Sequence, residues 1–129
     1  MTNDGREIAG HTGPTGGELA SAVSNAMVAV YAEHIGRGPT RVRTSFGRDL
    51  VAVVLEETLT KAERRLVADG ESDMVVTTRR TFQRTMREDL VGAVERLTGR
   101  TVAAFLSDQH VNPDVAVEVF VLAPDPVPA

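Results

Sequence analysis

The sequence predicts an α+β protein with two layers, in which a four-stranded, mainly antiparallel sheet packs against one long and two shorter helices. The predicted order of elements is α-β-β-α-α-β-β. Two segments have apolar residues at every third or fourth position, which is typical of helices with one buried face. Four further segments alternate with a period of two or are continuously apolar over the length of a strand. A capping signature between the two pairs of strands marks the remaining short helix.

The first helix is predicted to end at about Ile35. Its apolar stripe consists of Leu19, Val23, Met27 or Ala26, Val30 and His34. Gly36 or Gly38 can adopt the left-handed conformation that closes a helix, and Pro39 prevents the helix from continuing. Periodicity and stop signal together predict one amphipathic helix ahead of the first strand.

Two strands joined by a tight hairpin are predicted next. From Arg41 the period changes to two, and one alternating set consists of Val42, Thr44 and Phe46. Residues Gly47–Asp49 have the composition of a short hairpin connection. The apolar run Leu50–Leu55 that follows has the length of a strand, and its continuous hydrophobicity predicts a central position in the sheet.

A short helix is predicted from Lys61 to about Ala68. Thr60 is followed three residues later by Glu63, the spacing of a capping box in which each side chain accepts a hydrogen bond from the backbone of the other residue. Gly70 provides the stop signal.

The longest periodic segment predicts a long amphipathic helix that ends at Gly99. Its stripe consists of Val75, Thr78, Phe82, Met86, Leu90, Ala93 and Leu97. Steps of three or four residues place these side chains on one face, and the glycine supplies the C-terminal cap.

Two more strands are predicted near the C-terminal end. One alternates over Val102–Leu106 and the other over Val115–Leu122, with Asp108–Asp114 as the loop between them. A sheet of four such strands has unpaired edges and an open face, which proteins commonly cover by pairing with a second copy. We therefore expect a homodimer.

The 129 residues fit one domain. Residues 1–17 contain five glycines and almost no large apolar side chain, so they are predicted to form a flexible N-terminal tail. Residues 18–123 are predicted to form the single domain. Residues 124–129 alternate with proline and are predicted to form a C-terminal tail.

The composition excludes several classes of function. A formal net charge of −4 disfavours nucleic acid as a partner, because its phosphates attract basic proteins. The absence of cysteine excludes disulfides, thiolate nucleophiles and cysteine-ligated metals. No apolar run approaches the ~20 residues that span a bilayer, so we expect no direct membrane insertion and a cytoplasmic location. No motif for a cofactor is present, and none is expected.

An ordered set of short motifs resembles the MpsC family over roughly Leu19 to Leu122. The motifs are Gly36–Pro39 before the hairpin, Leu59-Thr60-x-x-Glu63-Arg64-x-Leu66 after it, Arg79 on the long helix and the final strand Val119–Leu122. The resemblance implies association with a bacterial sodium-translocating, membrane-potential-generating system, in which other subunits span the membrane and conduct the ion. It implies no catalytic residues.

Seven arginines are candidate binding residues: Arg37, Arg41, Arg43, Arg79, Arg80, Arg84 and Arg87. The first three lie near one strand end, and the last three form an i, i+4, i+7 stripe on the long helix. Together they have the chemistry to clamp an anion, a phosphate or an acidic partner. The alternative is a solvated helix face, because Glu88 and Asp89 interrupt the stripe.

We predict a separate role for Arg79, because it lies in the part of the helix that resembles the family. We expect it to pair with Glu56 or Glu57 at the end of the second strand. A salt bridge that ties helix to sheet is preferred over contact with a ligand.

Asp108, His110 and Asp114 offer oxygen and imidazole groups that are chemically acceptable for a divalent metal. Their spacing matches no established metal site, so a polar turn at Asn112–Asp114 is the preferred interpretation and no metal is predicted. An enzyme built on these three residues is the least favoured of the functions considered.

The residues therefore predict a soluble, non-catalytic accessory or regulatory component. The resemblance implies that it is a component of a membrane cation-translocating system, linked to sodium or bicarbonate. It is expected to act through protein–protein contacts, to have integral membrane subunits among its partners, and to lie at the membrane only through such a partner. The alternative is a regulatory module that binds an anion or small molecule through its arginines.

Overall fold

The computed structural model describes residues 16–124. Within this range, three helices and four strands follow one another in the predicted order. The elements are α1 Gly16–Ile35, β1 Arg41–Gly47, β2 Leu50–Glu56, α2 Lys61–Ala68, α3 Ser72–Thr98, β3 Val102–Val111 and β4 Asp114–Leu122. The predicted α+β class is confirmed. The C-terminal tail after residue 124 and most of the N-terminal tail lie outside the described residues, but α1 includes Gly16 and Gly17 of that predicted tail.

The four strands form one antiparallel sheet with the order β1-β2-β4-β3. The two pairs of strands that are adjacent in sequence form hairpins, and β2 and β4 join these hairpins in the centre. As predicted from its apolar run, β2 is a central strand. The edges are β1 and β3.

The predicted loop Asp108–Asp114 is wrong, because strand pairing continues through most of it. Asp108 pairs with Val117, and the ladder runs on until Val111 pairs with Asp114. The turn is confined to Asn112 and Pro113, which are joined by a cis peptide bond. Polar residues are tolerated here because β3 is an edge strand with one face open to solvent.

Both long helices pack on the same face of the sheet and on each other. Along the central strands, every second side chain points towards the two helices. This set forms the core together with the buried stripes of α1 and α3. Its buried apolar members on the sheet are Val51, Val53, Leu55, Ala116, Phe120 and Leu122.

The buried stripe of α1 advances in steps of four residues. It consists of Leu19, Val23, Met27 and Tyr31, so the buried position at the end of the helix is Tyr31 rather than the predicted Val30 and His34. Val30 is half-buried against the core. His34 lies at its edge and contacts Asp89 of α3 at 2.8 Å between Nε2 and Oδ2.

The predicted caps of α2 and α3 are confirmed. The Thr60 hydroxyl accepts from the Glu63 backbone N–H at 3.1 Å, and the Glu63 carboxylate accepts from the Thr60 N–H at 2.8 Å. Gly99 ends α3 in the left-handed region with φ of 71°. Glycine meets this requirement because it has no Cβ to clash.

The buried face of α3 differs from the predicted one by one position in its first half. Arg79 and Gln83 are buried there, whereas Thr78 is exposed and Phe82 is half-buried. Hydrophobic periodicity does not find this face, because two of the residues that occupy it are polar. From Met86 to Ala93 the buried positions follow the prediction, but at the end of the helix Thr98 is buried and the predicted Leu97 is half-buried.

Candidate functional site

A group of polar side chains lies inside the core, between the two long helices and the sheet. Glu118 projects from the centre of β4 and is 0% exposed, and Tyr31 of α1 is also 0% exposed. The Tyr31 hydroxyl donates a hydrogen bond to Glu118 Oε2 at 2.5 Å. Gln83 of α3 is 3% exposed in the same region. A carboxyl group in the middle of an apolar core destabilises the folded state unless it is neutral or fully hydrogen-bonded.

Burial raises the pKa of Glu118 from 4.5 to about 7, although the hydroxyls of Ser107 and Tyr31 act against this effect. Burial, and next the negative charge of Glu118, raise the pKa of Tyr31 well above its usual value. The phenol therefore remains a donor, while Glu118 changes between neutral and charged forms near neutral pH.

Several buried polar atoms of this group make no hydrogen bond within residues 16–124. They are both amide atoms of Gln83, Ser107 Oγ and Glu118 Oε1. Ser107 lies directly opposite Glu118 in the β3–β4 register and is near enough to influence its pKa, yet the two oxygens do not complete a hydrogen bond. Native proteins leave few buried polar groups unpaired, because each costs about 1–3 kcal/mol.

A cleft of about 290 Å³ opens between α3 and β3, beside these unpaired atoms. Gln83 and Ser107 are among its lining residues, and so is the Phe105 ring. The Arg87 guanidinium lies over this ring at 5.4 Å from the centroid. The remaining lining residues are Arg80 and Arg84. The cleft thus combines cationic groups at its rim with uncharged polar groups deeper inside.

Three of the seven candidate arginines, Arg80, Arg84 and Arg87, therefore share this cleft, as their helical spacing allows. Arg80 forms a salt bridge with Asp108, at 3.1 Å between Nε and Oδ1. Hydrogen bonds from Arg80, and next from the Gln109 backbone N–H, lower the pKa of Asp108. Arg84 donates to the Thr81 hydroxyl at 3.2 Å. Within residues 16–124, Arg84 and Arg87 have no carboxylate within salt-bridge distance.

Arg79 is buried in a salt bridge with Glu63 of α2, not with Glu56 or Glu57 as predicted. Its Nε and Nη2 donate to the two carboxylate oxygens of Glu63 at 2.9 and 2.7 Å. Nη2 also donates to the Thr58 carbonyl. Burial alone would raise the pKa of Glu63, but the hydrogen bonds from Arg79 and from the Thr60 backbone lower it. Arg79 pairs with Glu63 rather than with Glu56 or Glu57 because the capping box holds the Glu63 carboxylate next to α3.

The other three candidate arginines lie elsewhere. Arg37 donates to the Leu59 carbonyl at 3.1 Å and so braces the segment before α2. Arg41 and Arg43 project from the open face of edge strand β1, where both approach Glu56, at 3.8 and 3.7 Å. The sequence prediction joined these three to the helical stripe, whereas the structure separates them from it.

The three weak metal candidates have separate partners. Asp108 pairs with Arg80, and His110 Nδ1 lies 2.8 Å from the Pro113 carbonyl. The Asp114 carboxylate accepts from the backbone N–H groups that follow β2, at 3.1 and 3.0 Å. It therefore anchors the segment between β2 and α2.

The face of the sheet opposite the helices has no cover within the described residues. Leu50, Leu106 and Val121 are 39%, 58% and 36% exposed on it. The half-buried apolar residues between them are Ala52, Val54, Val115, Val117 and Val119. A contiguous apolar surface of this kind marks an interaction site more often than an isolated exposed leucine does.

The fold, the cleft and the open face define an α+β protein, with a sheet covered by helices on one side and an arginine-rimmed cleft at its edge. The chain belongs to the MpsC family, whose model, described as "Na+-translocating membrane potential-generating system (MpsC)", matches residues 15–124. The uncharacterized protein YbcI of Bacillus subtilis (strain 168) is 28% identical over 110 residues, which cover 84% of this chain and 89% of YbcI. No solved structure matches the chain. None of the helices in residues 16–124 is both long and apolar enough to cross a membrane.

Proposed function

We propose that this chain is a non-catalytic accessory component of a membrane cation-translocating system and that it acts through protein–protein contacts. The description of its family, which names a sodium-translocating system, supports the link to ion translocation. The observation that carries the mode of action is the uncovered apolar face of the sheet. On this proposal the chain works in the cytoplasm and reaches the membrane only through a partner.

We further propose that a second copy of the chain covers the open face. Four strands at standard spacing and seven residues at standard rise give a surface of about 19 by 23 Å. This is comparable to the largest apolar patches on monomeric proteins, about 300–600 Å², which are often functional. Two such faces can pack as the aligned layers of a β-sandwich.

The order of residues across the face supports this occupant. One row contains Arg43 of β1, Val54, Val117 and Asp108 of β3, in that order. A two-fold axis parallel to the strands places each edge strand over the opposite edge strand of the second copy. Arg43 of one copy then lies over the β3 edge of the other, where Arg80 already binds the Asp108 carboxylate, while the valines meet in the middle. The apolar centre of the face is therefore complementary to itself.

The oligomeric state tests the covering of the face. We expect sedimentation equilibrium to give twice the mass of one chain, and Leu106→Asp to shift the protein to monomer. Met74→Asp is the matched control, because Met74 is 53% exposed but lies on α3, away from the sheet face. A monomeric wild type, or equal effects of both variants, would contradict the proposed dimer.

The link to the membrane system needs a separate test. The tagged chain would be purified from detergent-extracted membranes of its native cells, and copurifying proteins identified by mass spectrometry. Stoichiometric recovery of the integral subunits of a cation-translocating system supports the accessory role. If cells that make those subunits yield none of them, the accessory role is refuted whatever the oligomeric state.

The α3–β3 cleft favours a second function, a regulatory module that binds an anion or small molecule. Its support is the presence of unpaired polar atoms at the floor of a cleft with a cationic rim. The two functions are compatible, because the cleft and the open face lie on different sides of the sheet.

A further inference from the structure

We infer that the α3–β3 cleft binds a small organic anion, with its oxyanion group between Arg84 and Arg87, and that this binding is coupled to protonation of Glu118. The inference deepens the second proposed function by naming the class of ligand and the group that regulates its binding. Carboxylates and phosphate monoesters share the required chemistry.

The rim of the cleft supplies the charge. Arg84 and Arg87 lie three residues apart on α3, so they are neighbours on one helix face. Neither has a carboxylate partner within residues 16–124, in contrast to Arg80, which Asp108 neutralises. Two guanidinium groups side by side repel each other, and an oxyanion that accepts hydrogen bonds from both removes that repulsion.

The floor of the cleft supplies polar specificity. Gln83 is 3% exposed and lines the cleft. It is near enough to Tyr31 to act against the rise in the pKa of that phenol, yet neither of its amide atoms completes a hydrogen bond in the described part of the chain. The Ser107 hydroxyl lines the cleft beside it and is unpaired as well. A ligand that offers both a donor and an acceptor would satisfy these atoms. Sites with buried polar groups of this kind discriminate strongly against molecules that leave them unpaired.

The size of the cleft limits the ligand. A volume of about 290 Å³ is at the lower end of the range for small-molecule sites. It accommodates a molecule of roughly ten non-hydrogen atoms, for which a dissociation constant on the order of millimolar is expected. The Phe105 ring in the wall favours a flat or apolar part next to the oxyanion.

Glu118 lies behind the floor and connects anion binding to pH. Tyr31 from α1 and Ser107 from β3 face it, while Gln83 and the charge of Arg79, both from α3, act on Tyr31. An ionised Glu118 repels an anion in the cleft, whereas the neutral acid does not. The pKa of Glu118 is about 7. If the anion binds only to protein in which Glu118 is neutral, its apparent affinity falls about tenfold between pH 6 and pH 8.

The experiment is a ligand titration followed by ¹H–¹⁵N NMR, with the side-chain amide of Gln83 as the reporter. Benzoate is compared with neutral benzamide, and glycerol 3-phosphate with glycerol, so that charge is the main difference within each pair. We expect one anion to shift the Gln83 signals and its neutral counterpart to bind at least about tenfold more weakly. Arg84→Gln should weaken binding by a similar factor, and Arg96→Gln, an exposed change on the same helix away from the cleft, should not.

The role of Glu118 is tested by repeating the benzoate titration at pH 6 and pH 8, because benzoate keeps the same charge at both. We expect the pH effect in the wild type and its loss in Glu118→Gln, which keeps the shape of the side chain without the charge. Equal binding of the charged and neutral probes refutes the inferred preference for an anion, but it is compatible with a module that binds small molecules. No shift with any probe refutes both, and anion binding with the same pH dependence in Glu118→Gln refutes the coupling.

Discussion

Replacement of Glu118 by glutamine should change how the stability of the protein depends on pH. In the unfolded chain this carboxyl group titrates near 4.5, whereas in the folded protein burial raises its pKa to about 7. Between these two values the folded state binds more protons than the unfolded state. The contribution of Glu118 to the free energy of unfolding is therefore greatest below pH 4.5 and is lost as the pH rises to about 7.

The size of the effect follows from the same two values. At about 1.4 kcal/mol per pKa unit, the loss amounts to about 3 kcal/mol. This is a large fraction of the roughly 5–15 kcal/mol that stabilises a typical domain. Glutamine cannot ionise, and its amide oxygen can still accept the hydrogen bond from Tyr31. The variant should therefore keep its stability at alkaline pH better than the wild type does.

Urea unfolding of both proteins between pH 4.5 and pH 9 measures this effect. The difference in unfolding free energy between wild type and Glu118→Gln should fall by about 3 kcal/mol from pH 4.5 to pH 8 and then stay constant. Other titrating groups cancel in this difference, because both proteins contain them. A difference that does not change with pH, or that rises with it, would refute the assignment of Glu118 as a buried group with a raised pKa.

Two further predictions concern the contacts of α2. Arg79→Leu should destabilise the protein by about 3–5 kcal/mol in thermal or urea unfolding, because it leaves the Glu63 carboxylate and the Thr58 carbonyl without their buried donor. Combining it with Glu63→Gln should recover part of this loss, and full additivity of the two changes would contradict the pairing. Thr60→Ala should lower the free energy of unfolding by about 1 kcal/mol, because the helix loses its cap. The control Thr77→Ala, at an exposed site on α3, should change it by no more than about 0.5 kcal/mol. Equal effects of the two substitutions would argue against the capping box.

The candidate site was only partly predictable from the sequence. Spacing alone placed Arg80, Arg84 and Arg87 on one helix face, because that relation depends only on local geometry. Glu118 gave no signal, since a polar residue at a buried position has the same letter as one in solvent. A weak signal for Gln83 existed in its position, because it precedes Arg87 by four residues and so shares that side of the helix.

Local sequence patterns were enough to predict those features that arise between neighbours along the chain: the order of the elements, the capping box at Thr60 and the glycine stop at Gly99. Backbone sterics and short-range hydrogen bonds act over a few residues, so a local pattern carries them.

Tertiary structure alone decided the partners of distant polar groups and the faces of the sheet. Glu118 meets Tyr31 across 87 positions, and Arg79 meets Glu63 across 16. In β4 both alternating sets are mostly apolar, so periodicity could not tell which set the helices would cover. Only the packing of α1 and α3 buried one set, left the other as an open face, and formed a cleft beside an edge strand. The physical reason is that burial depends on the whole arrangement of the chain, whereas sequence periodicity reports only the amphipathicity of each segment.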